Sequence, residues 1–413
     1  MTEFSDDRGR DSSGRLIISS LGLSRITTRT GGILTGLFLV DIGVTFGASV
    51  GVIGQIPTTS SILAMVFALL MGVLSVRFSY KSLLLTGLLF YAVSALGCAL
   101  APGFTAMLLS YSLTGVGIAM VNPMSVALVG EHIPLDRRPM AIGWLFLFMG
   151  LTSSFVAGPV MTYLSGMGGW RMAFLGYPLP IALMSIVLAY IGIPSIPRRT
   201  GVGDAATKHL EGIRELFKNR SAVACVIGTI LGAASFTSII VYGISLYREK
   251  FLLPKELTAL LWSGMPLSNI MGTTFSGKFA NRFGRKPLTI VGAFLMGLST
   301  ILFTNVPGFW LSVALAYLCC LFAGIRSTAS DSLIVEQMPT FRGTMMSLNV
   351  AGFNLGSAFG SAVGGGILVW LGWETLGVVL GGLGIVASLV FYLFTIDPTI
   401  HNSSGEHGSR TNL

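Results

Sequence analysis

The chain has 413 residues, 52% of them apolar and only 10% charged, with a mean hydropathy of +0.78. A water-soluble protein carries about a quarter charged residues, so an ordinary soluble enzyme or scaffold is excluded and the chain falls in the membrane class. The net charge of +9 does not point to nucleic acid, because the basic residues cluster in short gaps between apolar runs, the pattern that orients a membrane protein.

Residues 1–30 are polar, Ser-rich and charged, without the apolar core and small-residue cleavage site of a signal peptide. They read as a cytoplasmic tail. Twelve apolar runs follow, at about 31–53, 57–77, 82–101, 104–129, 140–165, 171–194, 222–246, 258–278, 287–306, 308–335, 342–370 and 373–396. Each is long enough to cross a ~30 Å hydrocarbon core as a helix. An even number puts both termini on one side. Alternate gaps hold Arg77, Lys81, Arg137, Arg138, Arg198, Arg199, Lys278, Arg282, Arg285, Lys286 and Arg342, whereas the opposite gaps hold only Arg171, Arg248, Lys250 and Lys255. By the positive-inside rule both termini are cytoplasmic, and the chain reads as a multi-pass protein of the cell membrane. The boundaries drawn are a tail (1–30), a first six-helix bundle (31–196), a linker (197–221), a second bundle (222–396) and a C-terminal tail (397–413). Leu210, Ile213, Leu216 and Phe217 in the linker have helical spacing and predict an amphipathic surface helix. The four cysteines (Cys98, Cys225, Cys319, Cys320) lie in apolar runs and read as packing residues, with no metal-type spacing. No metal or cofactor is expected.

The halves are related. Gly277-Lys278-Phe279-Ala280-Asn281-Arg282-Phe283-Gly284-Arg285-Lys286 has a fainter copy 205 residues earlier, beginning at Gly72 and keeping Arg77 and Lys81. The segment from Glu131 through Pro134 to Arg137 returns at the same offset as Glu336, Pro339 and Arg342. Six spans followed by six related spans in parallel order is a transporter architecture. The Gly277–Lys286 segment, placed after span eight, resembles the loop motif of the major facilitator superfamily, with Asn281 where that family has Asp. The resemblance covers residues 30–396. It implies an all-α membrane protein of twelve transmembrane helices in two six-helix pseudo-repeats, working on a small molecule by alternating access, as a monomer in the lipid bilayer.

Asp41 is a carboxylate inside span one. At bilayer depth such a group must be paired, solvated or protonated, which makes it the first candidate for proton or substrate binding. Arg326, inside span ten, faces either an anionic substrate or a partner within the bundle, and Asp331 lies near the end of the same span. Asn122 and Tyr242 are polar residues on spans expected to line the pathway. Tyr111 stands where the family often has a buried arginine linked to proton handling. The repeat predicts twin cytoplasmic gate pairs, Arg77–Glu131 and Arg282–Glu336, flanked by Gly72, Gly277, Asn281, Gly284, Arg285 and Lys286. Small residues recur every fourth position in span two (Ser60, Ala64, Ala68, Gly72), span five (Gly150, Ser154, Gly158), span eight (Gly264, Ser268, Gly272, Ser276) and span eleven (Gly352, Gly356, Gly360, Gly364). Such faces let backbones approach closely, and the resemblance implies that these four spans meet where the halves join. Gly158-Pro159 resembles part of the family's antiporter motif.

Gly47-Ala48-Ser49-Val50-Gly51 matches a serine-nucleophile pattern, but it lies in span one and all four histidines lie outside the spans, so no enzyme is expected. No phosphate-binding Gly-rich loop with Lys-Ser/Thr occurs, which excludes a built-in ATPase. The leading reading is proton-coupled export of small, partly apolar molecules. The alternatives are import of an organic anion held by Arg326, and a non-transporting membrane sensor on the same fold.

Overall fold

The computed structural model describes residues 3–134, 137–194 and 211–397, with the backbone alone at 3–15, 72, 73, 76, 139, 238 and 281. Among the described residues the secondary structure is entirely helical. Ten segments are long and apolar enough to cross a membrane by length and composition. One of them, Met140–Gly192, runs for 53 residues. At 1.5 Å per residue that is about 80 Å, enough for two crossings. The division falls at Gly168 and Gly169, where Gly169 takes φ +72°, a conformation glycine adopts without a Cβ penalty. With the helix Met265–Phe283 at the position of span eight, the arrangement has twelve crossings.

The first helix differs from expectation. It runs from Glu3 to Phe46, and its membrane-length part begins at Leu16 rather than at residue 31. The hydroxyls of Ser20, Ser24, Thr27, Thr28 and Thr30, which made this stretch look like a tail, are buried and hydrogen-bonded. Ser24 donates to the Ser20 carbonyl (2.8 Å), Thr27 to the Leu23 carbonyl (3.0 Å), and Thr27 meets Ser185 Oγ at 2.9 Å. Hydroxyls bonded back to their own helix cost little to bury, so a Ser/Thr-rich run can cross where a hydropathy reading sees a loop.

Span five has a π-helical turn at Thr152–Ala157, immediately before Gly158-Pro159. Pro159 has no N–H to complete the α-helical ladder, and the single π turn before it accommodates the missing bond. Residues 211–218 are helical, with Leu216 buried and Phe217 exposed. The rest of the predicted linker helix, and residues 398–413 of the C-terminal tail, lie outside the described residues.

The chain forms two compact units: residues 1–202 with 240–263, and residues 203–239 with 264–413. In the first unit, Leu21, Leu84, Leu88, Val121, Leu128 and Leu145 pack as one core. In the second, Cys225, Leu333, Ile334, Met345 and Phe391 do so. The small-residue ladders work inside these units. Gly115 of span four sits against the Ser60 carbonyl and Ala64 of span two. Gly272 of span eight lies against the Leu321 carbonyl of span ten, and Gly324 against Asn269 and Thr273. Gly352, Gly356 and Gly360 of span eleven pack on Val226, Ile230 and Ala234 of span seven. These glycines serve close packing of spans within a unit, while Gly158 of span five lies beside Ala259 and Ser263 of the second sequence half. The four cysteines are free and buried.

Candidate functional site

Asp41 sits five residues before the end of the first helix at Phe46, nearer its end than the sequence boundaries implied. Arg248, near the end of the helix Arg220–Lys250, donates to both of its carboxylate oxygens, at 2.6 and 3.3 Å. Arg248 also donates to the Leu37 carbonyl at 3.4 Å. The side chains are 29% exposed for Asp41 and 15% for Arg248. One turn on, Thr45 bonds back to the Asp41 carbonyl and accepts from Trp170 Nε1 at 2.9 Å. Other members of residues 240–263 hold the same unit together. The Ile240 carbonyl lies over Gly36, the Tyr242 ring over Gly54, and Ser263 and Ala259 beside Gly158. Lys255 Nζ donates to Ser165 Oγ at 3.1 Å.

A second group lies deeper in the same helix, and sequence reasoning missed it. Arg25, 6% exposed, donates to the side-chain oxygen of Asn122 (3.1 Å) and to its backbone carbonyl (3.2 Å). Thr28 donates to the same side-chain oxygen at 3.1 Å. The guanidinium lies 4.6 Å over the Phe146 ring, and its Nε has no partner. Pro123, inside the span-four helix, follows Asn122 directly. Arg29, one turn beyond Arg25, is exposed. Its depth follows from its neighbours. The Gly31 N–H donates to Tyr91 Oη at 2.6 Å, and Thr30 Oγ1 lies 2.9 Å from the same oxygen. Tyr91 is near the middle of the 21-residue helix Tyr80–Leu100, about 31 Å long. Arg29 is thus near mid-bilayer depth. The missed signal was charge rather than hydropathy: Arg25 and Arg29 are the only charges between Arg15 and Asp41.

Tyr111 is buried, with its hydroxyl 3.4 Å from Thr35 Oγ1. Tyr242 is buried as well. In the second unit Arg326 is 2% exposed, its guanidinium packed against Gly232 and its Nε without a partner. Asp331 accepts from Asn349 Nδ2 at 2.7 Å, and Thr229 donates to Asn349 Oδ1 at 2.9 Å. Arg326 and Asp331 interact electrostatically without an ion pair within 4 Å among the described residues, in keeping with their offset on the helix.

The twin gate pairs do not form as the repeat predicted. Arg77 and Glu131 are both exposed, and no ion pair joins them among the described residues. Glu336 pairs with Arg285 (3.6 Å) and Arg342 (3.4 Å), while Arg282 lies over the Phe283 ring. The reason is the turn at Gly284, with φ +84°, which separates Arg282 on one helix from Arg285 at the start of the next. Arg285 also donates to the Ser332 carbonyl (3.4 Å), and the Lys286 N–H to Asp397 (3.5 Å). Gly277 has open space around it. The surroundings of Gly72 and the side chain of Asn281 lie outside the described residues.

Long apolar helices in twelve crossings, with guanidinium and carboxylate groups held inside them, define a multi-pass membrane protein of the solute-transporter class. The sequence profile of the Major Facilitator Superfamily matches residues 21–273 and 248–413, and the chain belongs to that family. It is 25% identical to the uncharacterized MFS-type transporter YceJ of Bacillus subtilis, over 83% of this chain and 85% of that protein. It is 24% identical to Multidrug resistance protein 2 of the same organism, over 70% and 73%. The fold is similar to that of the nucleoside transporter NupG (TM-score 0.77, 13% identity, 92% of this chain and 99% of that chain). It is also similar to a D-xylose-proton symporter (TM-score 0.75, 16% identity, 93% and 98%). As a member of this family, the protein is a secondary transporter that works by alternating access.

Proposed function

We propose that the transporter exports small, partly apolar molecules in exchange for protons, and that the Asp41–Arg248 pair is its outer latch. The pair is the observation that carries this reading. It ties span one to the end of span seven, that is, the first sequence repeat to the second, within one compact unit. A rocking cycle has to break such a contact, and protonating Asp41 removes the charge that holds Arg248. The glycine, tyrosine and lysine contacts of residues 240–263 belong to the same closed end. Glu336 with Arg285 and Arg342 is the matching cytoplasmic cluster, since these residues lie in the gaps the positive-inside rule assigns to that side. Export finds support in the similarity to Multidrug resistance protein 2. The experiment is transport by purified protein in liposomes with an imposed pH gradient, read by an internal pH-sensitive dye. Proton movement coupled to solute is expected for the native chain and its loss for Asp41→Asn. Unchanged coupling in that variant removes Asp41 from the mechanism.

A further inference from the structure

We propose that Arg29, backed by Arg25, is an anion-binding subsite and that the cargo is a small amphiphilic carboxylate; this rests on the transporter reading above. Two guanidiniums one helical turn apart repel each other, and Arg25 feels the charge of Arg29. No described carboxylate relieves them. The acids of this unit whose side chains are described are Asp41, Glu131, Glu249 and Glu256, and none lies within ion-pair distance of either arginine. Asp41 is twelve residues away, about 18 Å along the helix, and is engaged by Arg248. The partners of Arg25 are neutral: an amide, a backbone carbonyl and an aromatic ring. Among the described side chains of this unit, two positive charges thus stand at membrane depth without an ion-paired counter-ion, and intramembrane charges of this kind mark a substrate path.

The site opens to a solute rather than to lipid. Arg25, Arg29, Gly32, Ile33 and Gly36 share one face of the helix, because their spacings return to nearly the same direction at 100° per residue. At Gly36 that face is covered by the Ile240 carbonyl, so it is turned toward protein. At Gly32 the space is open, and Arg29 beside it is exposed. Arg25 is fixed by Asn122 and spends part of its donor set there. Among the described residues no hydrogen bond or ion pair engages Arg29, and its planar fork fits one carboxylate bidentately. Phe146, half exposed and already stacked on Arg25, offers an apolar surface for the body of the same molecule.

The test is thermal unfolding of the purified full-length protein with matched acid and amide probes: benzoate against benzamide, nicotinate against nicotinamide, octanoate against octanamide. At least one acid should raise the unfolding temperature where its amide does not. Arg29→Gln should weaken that acid about tenfold or more, the loss of a charge-assisted hydrogen bond, and Arg29→Lys should retain part of the binding. No described hydrogen bond or ion pair of Arg29 is lost in these variants, and their unfolding temperatures without probe separate an effect on the fold from an effect on ligand. Acids that bind no better than their amides, or equally well to Arg29→Gln, overturn the proposal. Flux of the same acids through liposomes separates the two readings. Binding without flux leaves the anion subsite standing and removes transport of these acids, whereas flux of the neutral amides that is indifferent to Arg29→Gln keeps transport and removes the anion class.

Discussion

The Asp41–Arg248 pair can be weighed by a double-mutant cycle of Asp41→Asn, Arg248→Gln and the combined variant. Exposed ion pairs couple by 0.2–1 kcal/mol. Here two guanidinium nitrogens reach two carboxylate oxygens, at 2.6 and 3.3 Å, and both side chains are more than two-thirds buried. Bidentate geometry and shielding put the coupling near the upper end, at about 1 kcal/mol. That is roughly a fivefold change in the ratio of two conformations. The single variants should be unequal. Arg248→Gln leaves a part-buried carboxylate without its cation, whereas Asp41→Asn leaves Arg248 its bond to the Leu37 carbonyl, so Arg248→Gln should destabilise more. The assay is thermal unfolding of the four proteins in one detergent, with free energies compared at a common temperature. Effects that add to within about 0.3 kcal/mol would show that the two groups are neighbours without being coupled, and the latch would lose its energetic basis.

Gly356→Val should destabilise the second unit by about 1–3 kcal/mol, because a side chain there meets the Ile230 carbonyl, which cannot move aside; unfolding temperature measures it. Gly277→Ala, with open space around the glycine, should be close to neutral in the same assay. Asn122→Ala removes acceptors from Arg25 and Thr28 inside the helix bundle. It should cost about 1–3 kcal/mol, while Asn122→Asp, which supplies a counter-ion to Arg25, should cost less. Glu336→Gln removes the charge that both Arg285 and Arg342 face. Its transport rate should change more than that of Arg282→Gln, and equal effects would favour the pairing inferred from the repeat offset.

The sequence by itself determined the membrane class, the twelve crossings, the internal duplication and the family, because these rest on long-range regularities. Apolar run length is set by bilayer thickness, and a 205-residue offset is visible without any contact. What only the tertiary structure decided were partnerships and depths. Arg25 and Arg29 looked like tail charges because the hydroxyls around them read as polar, yet those hydroxyls bond to one another and to the helix carbonyls and are themselves buried. Arg248 lies 207 residues from Asp41, and no local pattern links them. Glu336 meets Arg285 and Arg342 rather than Arg282 because a repeat preserves positions while Gly284 redirects the chain between Arg282 and Arg285. Small-residue spacing told which faces pack closely, but the neighbour each face meets is fixed by how the helices cross, which a one-dimensional pattern does not encode.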